Sequence, residues 1–208
     1  MGTFAVIRPQ DDGAAQQASK WCDDLSTEFT TSGHSKVGDV DSGTPADATE
    51  ITKVLGGTAD LICYFGHGDE DHWLTSGAPT IDAGNVSAAA GKAILSIACR
   101  AGRNLGPDAI TAGVISWLGF TIAVPVIAPH KTHDPIGEAI VRALAGLGGK
   151  GTMQQARDDM AAEFDQLVDD YDTGKFSTHP AAPLGYFAAM CLRDHVVLHG
   201  KTSCRPLP

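Results

Sequence analysis

The sequence predicts an α/β fold, a mostly parallel sheet covered by helices on both faces. Three observations carry that reading. Short uninterrupted apolar runs alternate with longer amphipathic segments, the pattern of strands buried on both sides and joined by crossover helices. There is no internal repeat and no charge block. Hydrophobic residues make up 43% of the 208 positions, enough for one medium-sized core without disulfide or metal staples.

Taken in order, Phe4 to Ile7 is a strand stopped by Pro9. Gly13 to Phe29 reads as a helix, because Trp21, Leu25 and Phe29 recur every four residues on one face. Ser35 to Val40 is a second, less apolar strand. Thr44-Pro45 opens a helix running through Leu55 to Gly56-Gly57, with proline first and glycine just past the end. Leu61 to Phe65 and Ala93 to Ala98 are strands, and Trp73 to Ala83 between them is a small hairpin or irregular excursion. Asp108 to Leu118 is expected to be a helix that passes through Gly119 into a strand from Thr121 to Ile127. Pro135 to Leu147 and Met153 to Tyr171 are further helices, and the apolar run Tyr186 to Leu198 holds a final strand. The Gly- and Pro-rich stretches 145–151 and 172–185 read as loops, so residues 1–208 are expected to form one domain.

The net charge of −10 argues against nucleic acid and anionic membrane as partners, since both reward basic surfaces. It is compatible with basic peptides. Of five cysteines, Cys63 and Cys191 lie inside apolar runs, where a thiol acts as a small hydrophobe. No CxxC spacing points to zinc or redox cycling. With no signal-peptide pattern at the first residues and no bilayer-length apolar stretch, a cytoplasmic protein is expected. No cofactor and no metal is implied. The pair His130 and His133 and the pair His195 and His199 both lack a convincing ligand context, and Gly146 to Thr152 departs from a phosphate loop because Gly151 follows Lys150.

Chemistry concentrates at two strand ends. His67-Gly68 closes the run Leu61 to Phe65, and Ala98-Cys99 closes the run Ala93 to Ile97. Neighbouring parallel strands ending this way bring an imidazole and a thiol together at the carboxyl edge of the sheet, where open α/β sheets do their chemistry. The 32-residue interval fits one crossover with an excursion. Cys99 would be the nucleophile, with Arg100, Arg103 and a following helix favouring thiolate. His67 would be the base and then the acid, and the N–H groups of Gly68 and Cys99 would form an oxyanion hole.

The segments Tyr64-Phe65-Gly66-His67-Gly68 and Leu95-Ser96-Ile97-Ala98-Cys99-Arg100-Ala101-Gly102 resemble the two signatures of the caspase-like cysteine peptidases, and within them most resemble the CHAT family, related to separases and gingipains. Trp117-Leu118-Gly119-Phe120 running into Ala123-Val124-Pro125-Val126 is similar to the family's passage after the nucleophile. His133-Asp134-Pro135, Ala143-Leu144, Gln155 to Asp158 and His179 to Val196 extend the likeness. Two positions depart from it: Arg100 stands where an acid is common, and no tryptophan precedes Asp134 in the stretch Val126 to His130. The resemblance implies a three-layer sandwich with sheet order 2-1-3-4-5-6 and a His67–Cys99 dyad that needs no third member. It also implies a cysteine endopeptidase acting on a protein or peptide, often gated by an activating or sensor protein. In bacteria it points to stress or anti-phage effectors that cleave a partner.

Six acids are candidate substrate-binding residues. Asp69 and Glu70 follow the histidine, as does Asp71, and would meet a basic side chain. Asp11 and Asp12 end the first strand on the same sheet edge. Asp134 either orients a nearby group or caps the helix at Pro135. Two other functions fit the same fold. One is a catalytically silent interaction module, opposed by the intact His67, Gly68 and Cys99. The other is acyl transfer to something other than water, for example a small-molecule hydrolase, which a closed apolar pocket would support and an open sheet edge suited to extended peptides would count against.

Overall fold

The structure is a computed structural model that describes residues 1–41, 47–127, 134–178 and 181–208. It opens with β1 (Thr3–Ile7), α1 (Gly13–Thr31), β2 (Ser35–Val40), α2 (Ala48–Leu55) and β3 (Leu61–Phe65). A small antiparallel unit follows: β4 (His67–Gly68), β5 (Trp73–Thr75) and β6 (Ala78–Ile81). The chain continues through β7 (Ala93–Ile97), α3 (Leu105–Thr111), β8 (Ser116–Phe120), α4 (Pro135–Ala145), α5 (Met153–Asp172), α6 (Ala182–His195) and β9 (Val196–Gly200).

The six-stranded sheet runs β2-β1-β3-β7-β8-β9, the 2-1-3-4-5-6 order expected once the small unit is set aside. All pairings are parallel except β8 with β9. Alternation along the strands divides the core in two. Phe4, Val6, Leu61, Cys63, Phe65, Leu95, Ile97 and Leu118 face one layer, made with α1, α4, α5 and α6. Ala5, Ile7, Ile62, Tyr64, Ile94 and Trp117 face the other, made with α2, α3 and the hairpin. The molecule is thus a three-layer sandwich whose central strands are buried on both sides, which is why they read as unbroken apolar runs.

Helix starts are written locally. Asp12 caps α1 through the N–H groups of Ala14 and Ala15, Asp47 caps α2, and Thr152 with Gln155 forms a capping box on α5. Thr44 and Pro45 lie outside the described residues.

Two stretches correct the sequence reading. The expected helix Asp108 to Leu118 is the shorter α3, because Gly113 takes a φ of +100° and ends it. The next run, Ser116–Phe120, is then a strand with all five residues buried between β7 and β9. Thr121 to Ile127 is not a strand. It is an irregular passage whose Ile122 carbonyl accepts from the Arg100 N–H at 2.9 Å. The second correction is at Tyr186 to Leu198, most of which belongs to helix α6, with β9 beginning only at Val196.

Candidate active site

The register of β3 against β7 builds the site. Phe65 pairs with Ile97, so His67 and Cys99 stand at the same offset, two residues past the last paired positions. The Gly66 N–H continues the ladder to the Ile97 carbonyl at 3.2 Å. Both side chains line one cavity of about 150 Å³, together with Ala14, Ala15, Ala18, Trp21, Val124 and Val126.

His67 is held from several directions. Its carbonyl accepts from the buried Tyr64 hydroxyl at 2.7 Å, and that hydroxyl also lies 2.9 Å from the Leu74 carbonyl, the residue paired with His67 across β4 and β5. The Tyr64 ring is stacked on Trp73, with centroids 4.1 Å apart, and Trp73 donates to Ser96. The imidazole Nε2 lies 2.9 Å from Asp12 Oδ2. Asp12 therefore has two duties, since its Oδ1 caps α1. The Ala15 N–H holds its carboxyl below the usual carboxylate range, against the opposing effect of burial, and His67 adds to the lowering.

Cys99 is half-buried at the turn that leaves β7. Its sulfur lies 3.4 Å from the Val124 N–H and 3.9 Å from the Val124 carbonyl. Arg100, immediately after it, adopts a φ of +58°, a left-handed conformation that only a sharp turn demands of a non-glycine residue. Gly68 packs directly on this turn. A Cβ there would stand 3.0 Å from the Ala98 Cβ and 3.1 Å from the Cys99 carbonyl, so glycine is what lets the two strand ends touch. Three of the other thiols lie in burying surroundings. Cys22 and Cys63 are buried in the core, and burial pushes both up, as it does for Cys204.

The acids expected to meet substrate fall into place as follows. Asp11 accepts from the Ser76 N–H and so docks the β5–β6 turn onto the end of β1. Asp12 stands against the imidazole rather than alone in a pocket. Asp69 closes its own turn, accepting from the N–H groups of Asp71 and His72 and meeting the His72 ring. Glu70 pairs with Arg103 at 2.7 Å. Asp134 caps α4 through the Gly137 N–H and is buried beside Trp21 and Gln17; burial raises its carboxyl. His130 and His133 lie outside the described residues.

The pairing of Asp12 with His67 was missed in the sequence, although the signal was there. Order 2-1-3 puts the end of β1 beside the end of β3, so an acid capping the helix after β1 falls next to the histidine.

Fold and site together define the class: a caspase-like α/β sandwich that carries a histidine and a cysteine at its carboxyl edge. No protein-family model matches the chain, and neither does any curated protein. Solved structures do match. Gingipain R, an Arg-specific cysteine proteinase, aligns over 98% of this chain and 47% of its own at 14% identity, with a TM-score of 0.61. The complex of the pro- and mature domains of Porphyromonas gingivalis RgpB gives the same score over 97% and 47%, also at 14% identity. A secreted C11 cysteine protease from Bacteroides thetaiotaomicron, solved with an irreversible peptide inhibitor, aligns over 81% and 59% at 14% identity and a TM-score of 0.52. The chain spans about half the length of the gingipain chains, and what these likenesses establish is the shared fold. Among the described residues, no helix is long and apolar enough to cross a membrane.

Proposed function

We propose that the chain is a cysteine peptidase working through His67 and Cys99. The observation that carries this reading is their shared cavity at the ends of adjacent parallel strands, within a fold shared with cysteine proteases. Donation of the Nε2 hydrogen to Asp12 leaves the lone pair of His67 on Nδ1. That nitrogen takes the Cys99 proton as the sulfur attacks a peptide carbonyl. The oxyanion is received by the N–H groups of Gly68 and Cys99. The imidazolium, steadied by Asp12, returns the proton to the leaving amine, which frees the first product and leaves a thioester. Water, deprotonated by the same nitrogen, hydrolyses the thioester and regenerates the thiol.

Asp12 thus joins the dyad as its orienting acid, a member the resemblance to CHAT peptidases does not require. The substrate is a protein or peptide, and the reading extends to a cytoplasmic, partner-gated effector of bacterial stress or anti-phage defence. That extension rests on the signature segments around His67 and Cys99.

The test is hydrolysis of a fluorogenic peptide panel by wild type, Cys99→Ala and His67→Ala, with intact-mass detection of a thiol-directed peptide inhibitor. Wild type is expected to cleave and to form one adduct at Cys99, and both variants to lose turnover. Turnover that survives Cys99→Ala would refute the assignment. An inhibitor adduct at Cys99 without turnover would favour the silent interaction module.

A further inference from the structure

We infer, resting on the peptidase reading, that this site selects an apolar side chain at P1, the residue whose carbonyl is attacked. This departs from the arginine specificity named for the gingipain neighbour. Beside His67 and Cys99, the cavity is walled by Ala14, Ala15, Ala18, Trp21, Val124 and Val126. At about 150 Å³, it is the size of an engineered apolar cavity that holds benzene, and so suits a leucine, methionine or phenyl side chain. A guanidinium or ammonium placed there would give up its water and find no counter-charge in the wall.

No carboxylate lines this cavity; Asp11 and Asp12 line a separate cavity of about 380 Å³ against His67 and Gly68, and the candidate acids have other partners. Asp12 holds two backbone N–H groups and the catalytic imidazole. Asp11 holds the hairpin turn, Asp69 its own loop, and Glu70 the guanidinium of Arg103. Asp134 is the nearest remaining candidate. It sits at the α4 cap behind Trp21 and is not part of the cavity wall, and burial favours its neutral form. Trp21 itself packs against the start of α4, where a Cβ at Gly137 would overlap the indole nitrogen, so the indole is wedged in place as the deep wall.

The experiment is a P1-scanned peptide series on the wild-type protein, with Cys99→Ala as the background. Leucine or methionine at P1 is expected to give kcat/KM at least about a hundredfold above arginine or lysine. Ala14→Leu, at the half-buried first turn of α1, fills part of the cavity. It is expected to move the optimum from leucine toward alanine, with a change of roughly ten- to two-hundredfold in the leucine-to-alanine ratio. Ala18→Leu is the second variant at the same wall. A preference for arginine or lysine would overturn the inference and leave the peptidase reading standing, with P1 seated instead in the cavity that Asp11 and Asp12 line against His67 and Gly68. A flat profile, or an Ala14→Leu and Ala18→Leu pair that leaves the ratio unchanged, would overturn it too. No hydrolysis at any P1, together with no adduct of the thiol-directed peptide inhibitor at Cys99, would overturn the peptidase reading and this inference with it.

Discussion

The two strand ends that meet at the site are built in opposite ways. At the end of β3, His67 is gripped through side chains: a buried tyrosine on its carbonyl, an aspartate on its ring and a hairpin pairing its backbone. At the end of β7, the contacts on Cys99 come from backbone: the left-handed residue that follows it and the irregular passage at Val124. A general base must be aimed and kept in one tautomer, which needs outside partners. A nucleophile must stay reachable, so its position is fixed by the path of the chain and its sulfur is left lightly contacted.

Gly68 joins the two halves, and altering it should have the largest effect. Gly68→Ala inserts a Cβ against Ala98 and the Cys99 and His72 carbonyls, forcing the strand ends apart by a few tenths of an ångström. The shift also misaims the Gly68 N–H, a proposed oxyanion donor, and losing one such donor costs on the order of a hundredfold in turnover. The expected result is kcat down by up to about that factor, with the circular dichroism spectrum kept. Unchanged kcat would mean that the strand ends do not need to touch.

Next in size is the histidine side of the comparison. Asp12→Asn keeps an oxygen for the α1 cap but presents an NH₂ to Nε2, so the imidazole no longer donates there. Losses of roughly ten- to a hundredfold are typical for such supporting partners, expected here in kcat more than in KM. The same carboxyl gives a pH signature. Because it lies below its ordinary value in the folded protein, the stability it adds is present above the usual carboxylate range and is lost as pH falls through its folded value. Urea unfolding of wild type and Asp12→Asn should therefore differ most near neutral pH and converge in acid. A gap that widened in acid would show that the carboxyl is not held down by folding.

The sequence was most readable where one short run decides one element. β1, β3 and β7 follow from apolar runs with turn residues at their ends, and the ends of β3 and β7 carry His67 and Cys99; the sheet order is implied only by the family resemblance of the segments around those two residues. The errors fall where a buried run fits either periodicity. Ala188, Ala189 and Leu192 are core residues of α6, but its outer face carries the exposed Phe187 as well, so apolar residues on both faces blur the helical period and the run reads like a strand. Ser116 to Leu118 continues the apolar run of the preceding segment, and only the left-handed Gly113 separates α3 from β8. The roles of the acids were illegible for a different reason. Composition shows a surplus of carboxylates, but which of them are spent on backbone N–H groups and arginines is decided only when the loops meet in space.

The smallest effect belongs to the cysteine side, and it tests whether backbone geometry alone sets that end. Left-handed backbone costs a non-glycine residue about 1–2 kcal/mol, while glycine costs roughly 0.5–1 kcal/mol of extra chain entropy on folding. Arg100→Gly should therefore leave stability unchanged or raise it by less than about 1 kcal/mol. Arg100→Val, with a branched carbon at the same φ of +58°, should destabilise the protein by more than the glycine variant. Both are read as shifts in the urea midpoint at constant slope. If valine were tolerated as well as glycine, the turn after Cys99 would have a freedom that the histidine end lacks. The contrast between a base fixed by side chains and a nucleophile fixed by its backbone would then fail at the thiol.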